Sequence, residues 1–128
     1  MAITHTTATT RNSLADLIDT LINTGSGTSN FTFRNAQAVS LAVVDLDNPA
    51  FGAAASGAIS LAGTPQEGTA SHATTNAVCS AFDINDRNGA VVLSGTVAAT
   101  GADINLSNTT ISNGDTVRIS SFTYNASA

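Results

Sequence analysis

The sequence predicts a mainly β protein, an antiparallel β-sandwich of jelly-roll or immunoglobulin-like kind with one N-terminal amphipathic helix. Three observations predict it. From residue 30 onward, apolar residues alternate with polar ones in short segments, each bounded by Gly, Pro, Asn, Asp or Ser. Asn88-Gly89 sits between two such segments, where a hairpin turn is expected. Only the stretch around residues 14–22 carries helical spacing.

At 128 residues the chain fits one domain. It divides into an N-terminal arm (1–10), a helix (11–24) and the sandwich (30–125). The arm is Thr-rich and has no periodicity. In the helix, Leu14, Leu17, Ile18, Leu21 and Ile22 follow the i, i+3, i+4, i+7, i+8 pattern over an arc of roughly 140°. Thr10 can cap its start, or Ser13 with Asp16 as a Ser-x-x-Asp box, and Asn23-Thr24-Gly25 supplies the stop. A helix this short is marginal alone, so its apolar face must lie on a sheet or on another subunit.

The strand segments follow in order: Phe31 and Phe33; Val39, Leu41 and Val43; Ile59 and Leu61; Phe82 and Ile84; Val91 to Val97; Ile104 and Leu106; Val117 to Tyr124. Pro49 closes the second run. A two-residue type I′ turn at Asn88-Gly89 sets Arg87 opposite Ala90. The register then places Ile84 against Leu93, Phe82 against Gly95 and Ser80 against Val97 on one face. Asp83 meets Ser94, Ala81 meets Thr96 and Cys79 meets Ala98 on the other. One face is apolar and the other polar or small, and a one-residue slip would mix them. Phe82 opposite Gly95 fits an aromatic ring covering a glycine. In the last segment Val117 and Ile119 share one face and Phe122 and Tyr124 the other, which a bulge near Ser120-Ser121 or burial of both faces would reconcile. Gly52–Gly63, nearly all small residues, reads as a flat edge strand or a loop, and 63–77 reads as a loop.

Charged residues make up 10% of the chain, against a typical ~25%. Ser, Thr, Asn, Gly and Ala fill the deficit. Hydroxyls and amides cost less to desolvate than charges, so such a surface can be covered by a neighbour. The cations are four scattered arginines (Arg11, Arg34, Arg87 and Arg118), and the formal net charge is −5. Binding to nucleic acid or to an anionic membrane surface needs clustered cations, so neither partner is expected. No run approaches the ~20 apolar residues of a membrane span. The opening Met1-Ala2-Ile3-Thr4-His5-Thr6 has neither a basic region nor an apolar run, which points to synthesis in a cytoplasm.

Chemistry-bearing constellations are few. His5 lies in the arm and His72 in the 63–77 loop, both expected as exposed loop histidines without a carboxylate or cysteine at ligand spacing. No Ser sits in a Gly-x-Ser-x-Gly elbow, and Gly25-Ser26-Gly27 follows a helix instead of preceding one. Asp83, Asp86 and Asp103 suggest calcium superficially, but the hairpin register sends Asp83 and Asp86 to opposite faces and no bidentate Glu follows. Gly95 to Gly101 has phosphate-loop spacing, yet Ala102-Asp103 replaces the Lys-Ser/Thr pair. Cys79, the only cysteine, reads as a small buried apolar residue. No catalytic, cofactor-binding or metal-binding residue is assigned, and no cofactor is expected.

Three stretches carry a resemblance. Thr4-His5-Thr6 leads through Arg11-Asn12-Ser13-Leu14-Ala15-Asp16 into the helix, and Asn48-Pro49-Ala50-Phe51-Gly52 follows. The third runs from Val92-Leu93-Ser94-Gly95-Thr96-Val97 to Gly114-Asp115-Thr116-Val117-Arg118-Ile119-Ser120-Ser121-Phe122-Thr123-Tyr124. In texture and order over nearly the whole chain, they resemble the short Ala/Thr/Ser-rich decoration, or cement, proteins of tailed-bacteriophage capsids. The resemblance implies a non-enzymatic virion protein on the capsid exterior, bound to the major capsid protein and self-associated as a homo-oligomer. Arm 1–10 and loops 47–57 and 63–77 are then the candidate contacts. A tail or fibre protein with a receptor- or glycan-binding sandwich is the alternative, disfavoured by the lack of Trp and the single Tyr124. An enzyme assembled from scattered Ser, His and Asp would need His5 or His72 held against a carboxylate.

Overall fold

A computed structural model describes residues 10–47, 50–62, 66–106, 108–119 and 122–125. Most of the arm with His5, the Asn48-Pro49 pair expected to close the second run, and Ser120-Ser121 therefore lie outside the described residues. The fold is mainly β, with one helix ahead of nine strands among the described residues.

Helix α1 (Asn12–Ile22) has Arg11 at its N-cap position with no side-chain cap bond, in place of the Thr10 or Ser13 expected there. The polar side chains are engaged elsewhere. Asn12 Oδ1 accepts the Gly57 N–H (2.7 Å) and Asp16 Oδ1 accepts that of Ala54 (3.1 Å), tying the helix to the 54–57 turn. At its end the Asn23 N–H bonds the Asp19 carbonyl, and Gly25 takes positive φ. Only part of the apolar arc faces the core. Ala15 and Ile22 are buried and Ile18 packs against the core, whereas Leu14, Leu17 and Leu21 stay 36%, 52% and 43% exposed.

The main sheet has the order β2-β1-β5-β6-β7, built from β1 (Asn30–Arg34), β2 (Ser40–Asp45), β5 (Ala81–Asn85), β6 (Val91–Ala98) and β7 (Ile104–Asn105). All neighbours are antiparallel except β6 and β7, which are parallel. Two pairs complete the sheets: β3 (Ala58–Ser60) with β9 (Thr123–Asn125), and β4 (Gln66–Thr69) with β8 (Thr116–Ile119). Strand β4 falls inside the expected 63–77 loop. It pairs through its backbone, and Gly68 sits so close to the Val43 carbonyl that a side chain would collide with it. Residues 52–62 of the Gly52–Gly63 stretch are likewise structured. Phe51 bridges Leu61 and Ala55 bridges Ala58, with Ser56 (φ 52°) and Gly57 (φ 78°) forming a I′-like two-residue turn.

The β5–β6 pairing matches the sequence reading at Ile84–Leu93, Phe82–Gly95, Asp83–Ser94 and Ala81–Thr96. Its turn differs. The Asp86 N–H bonds the Ala90 carbonyl and the Gly89 N–H bonds the Asp86 carbonyl, giving a three-residue loop with Gly89 at φ 87°. A register shift between Ile84 and Asn85 absorbs the extra residue. The β1–β2 hairpin repeats this loop with Asn35 for Asp86 and Ala38 (φ 63°) for Gly89. In both, the Asx Oδ1 accepts N–H groups two and four residues on: Gln37 and Val39 in one, Asn88 and Ala90 in the other. The shift beside Arg34 breaks the expected alternation of Val39, Leu41 and Val43, of which Leu41 alone is buried. Ala42 and Val44 pair with Phe33 and Phe31 and are buried, whereas Val39 and Val43 are 40% and 42% exposed.

The last predicted strand is two strands. Chain 116–119 joins β4 and chain 123–125 joins β3, so the change in parity marks a switch of sheets. Phe122 is thereby delivered against Phe31, Phe51 and Phe82, at ring-centroid distances of 5.1, 6.2 and 5.9 Å. With Phe33 stacked on Phe31, these rings form the centre of the core.

Candidate interaction surface

The register assigns Phe31, Phe33, Phe82 and Ile84 to the core face of the main sheet, and Thr32, Arg34, Asp83 and Ser94 to the other. On that second face the polar groups satisfy one another across the strands. Arg34 Nε donates to Asp83 Oδ2 (2.7 Å) and Ser94 Oγ donates to Asp83 Oδ1 (2.8 Å). Burial pushes the Asp83 carboxyl up, but the hydrogen bonds from Arg34 and Ser94 and the Arg34 charge outweigh it, leaving the group below its ordinary value. Beside this row, Asn85 Nδ2 donates to Asn30 Oδ1 (2.9 Å) and Thr32 Oγ1 (3.0 Å), and Thr32 Oγ1 donates to Asn30 Oδ1 (2.9 Å). Thr32 and Asn85 are buried with their polar groups satisfied. What the face offers to solvent is Val43, Ser94 and Thr96, with the exposed Asp45 at the end of β2. The Thr96 N–H and hydroxyl both donate to Asp103 Oδ2 (2.9 and 3.1 Å).

Amides also dock the 71–77 segment. Asn35 Nδ2 donates to the Asn76 carbonyl (2.8 Å) and Asn76 Nδ2 to Gln37 Oε1 (2.5 Å). His72 is half-buried here, in place of the exposed loop position expected. Its Nε2 lies 2.7 Å from the Ile111 carbonyl oxygen, a contact that puts the proton on Nε2, and its backbone N–H donates to Asn113 Oδ1. Nδ1 is buried with no hydrogen-bond partner among the described residues. The imidazole is thus positioned by backbone, and no carboxylate among the described residues orients it. Cys79 is buried with its thiol on the Ala81 carbonyl, and burial pushes the thiol up, away from nucleophilic thiolate. Asp83, Asp86 and Asp103 are separated by role: Asp83 binds Arg34, Asp86 closes the turn, and Asp103 holds Thr96. Among the described residues no three His, Cys, Asp or Glu side chains group as metal ligands.

Open clefts lie among the described residues, two of them beside the sheets. One, of about 380 Å³, is lined by Leu106, Asn108, Ile111, Asp115 and Arg118, with Arg118 3.6 Å from Glu67 in an exposed ion pair. The other, of about 340 Å³, lies between β6 and β9 and is lined by Phe82, Leu93, Ser94, Asp103, Phe122 and Tyr124. No helix among the described residues is long and apolar enough to cross a membrane. What the geometry supplies is a sheet face with an internally paired Arg34–Asp83–Ser94 row, and no converged nucleophile and base among the described residues. No protein-family model, no curated protein and no solved structure matches this chain.

Proposed function

We propose that the protein is a structural component of a virion, bound to the major capsid protein on the outside of a tailed-phage head and stabilising the shell as decoration or cement. The observation that carries this reading is the Arg34–Asp83–Ser94 row. It pairs the Arg34 and Asp83 charges at the middle of the sheet face, so a neighbour covering Val43, Ser94 and Thr96 and leaving Asp45 at the rim would strip water mainly from hydroxyl and apolar groups. We read the main sheet and the β3–β9 ribbon, joined through Phe122, as the two layers of a sandwich. On this reading the protein holds no cofactor, carries out no catalysis and works by burying area across capsomer boundaries. The test mixes purified protein with undecorated heads: it should co-sediment with them and raise the temperature at which they disrupt. Protein left in the supernatant at every ratio would reject the proposal. Deleting residues 2–9 should weaken co-sedimentation if the arm contributes to the contact.

The cleft between β6 and β9 supports a second reading, a tail or fibre protein that binds glycans. Tyr124 beside Asp103 and Ser94 supplies an aromatic wall next to polar groups. Immunogold labelling of particles separates head from tail, and a glycan array without binders removes this reading.

A further inference from the structure

Helix α1 has more apolar surface than its own sheet covers. With Leu14 set at 0° and about 100° per residue, Leu17 and Leu21 fall within an arc of about 60°, along the edge of the buried Ile22 and Ala15 and the half-buried Ile18. The uncovered leucines stand at i, i+3 and i+7, the a-d-a spacing of a helix-pairing seam. Next to them on the solvent side lie Ser13, Thr20 and Thr24, all uncharged. Asp16 and Asp19 point away by more than about 120°.

We infer that the stripe Leu14, Leu17 and Leu21 is a self-association surface, on which α1 of a second copy packs antiparallel about a two-fold axis beside Leu17. The stripe is nearly symmetric about that residue, so Leu14 meets Leu21 of the second copy, Leu17 meets its counterpart, and Leu21 meets Leu14. Such a contact is isologous, satisfied by the same patch on both molecules. The charge pattern favours this occupant. Neutral flanks let two acidic chains approach, because Asp16 and Asp19 of each copy stay off the seam, and antiparallel alignment opposes the two helix dipoles. A lipid surface is disfavoured, since Asn12–Ile22 contains two aspartates and no Lys or Arg for anionic headgroups. Two helical turns make a small contact, so the dimer is weak in solution and gains from copies held close together on one support.

The inference extends the self-association expected of a virion cover, but its test needs only the isolated full-length chain, so failure would leave binding to heads undecided. Sedimentation velocity up to about millimolar concentration should show monomer converting to dimer. Leu17→Glu, at a position 52% exposed and outside the core, should keep the circular dichroism spectrum and raise the dimer Kd at least about tenfold. Leu17→Cys should oxidise to a covalent dimer, while Ser94→Cys on the sheet face should not; native Cys79 is buried and does not compete. A monomer at all concentrations, a dimer indifferent to Leu17→Glu, or equal cross-linking through Ser94→Cys would overturn the inference. So would a dimer that appears only after deletion of residues 2–9, which would assign those residues to the stripe.

Discussion

The ring of Phe82 lies across β5–β6 directly over Gly95: a methyl group at Gly95 would stand 2.5 Å from Phe82 Cε1 and 2.8 Å from Asp103 Oδ2. The glycine is required by what covers it, since the ring also touches Phe31 and Phe122 in the core. Gly95→Ala should therefore destabilise the protein by about 1–3 kcal/mol in chemical denaturation, as overpacking does. Combining it with Phe82→Leu should give a loss smaller than the sum of the two single losses.

The twin hairpin loops give a contrast with opposite signs. Ala38 and Gly89 occupy equivalent positions at positive φ, where an L side chain is strained by about 1–2 kcal/mol. Ala38→Gly should stabilise by roughly 0.5–1 kcal/mol after the added backbone entropy is counted, and Gly89→Ala should destabilise by about 1 kcal/mol. Thermal melts of the two variants check both signs.

Asp83 should make stability fall in acid. Its folded-state pKa is depressed, so its contribution is complete above the unfolded value of about 3.9 and is lost as pH falls through the lower folded value. Asp19, raised by burial despite its bond from Asn23, acts in the opposite sense and gains stability on protonation. Arg34→Gln should cost about 1 kcal/mol at pH 7, and its deficit against the parent should shrink below about pH 4 as Asp83 protonates. Urea titrations from pH 7 to 2 measure this.

Cys79 should be silent toward thiol reagents in the native state, being buried with its thiol pushed up. Labelling with a disulfide reagent should proceed at the rate of unfolding and become rapid in denaturant. Rapid native-state labelling would contradict the packing described.

The β5–β6 register was legible because alternation and an Asn-Gly pair restrict the pairing, and Phe82 over Gly95 came with it. The loop length was not, because Asp86 spends its carboxylate on the Asn88 and Ala90 N–H groups and enlarges the turn, while a register shift restores the register beyond it. Strand β4 was hidden since Gln66-Glu67-Gly68-Thr69 has no apolar alternation and pairs through its backbone and an exposed Glu67–Arg118 ion pair. The same limit applies to the surface. Asp83 and Ser94 on one face follow from the register, but Arg34 arrives from 49 residues away. The stripe on α1 was visible as part of an apolar arc; which half the sheet would cover depends on Asn12 and Asp16 holding the 54–57 turn, a contact no periodicity encodes.

Phe122 closes against Phe31 across most of the chain's length, and this governs how the polypeptide matures. The aromatic centre cannot be completed until the segment beyond residue 121 has left the ribosome, so the earlier hairpins must wait with Phe31 and Phe82 only partly sheltered. Closing a loop of that span before any reward makes folding slow relative to helical chains of equal size, and the waiting species is the one most prone to sticking to its siblings.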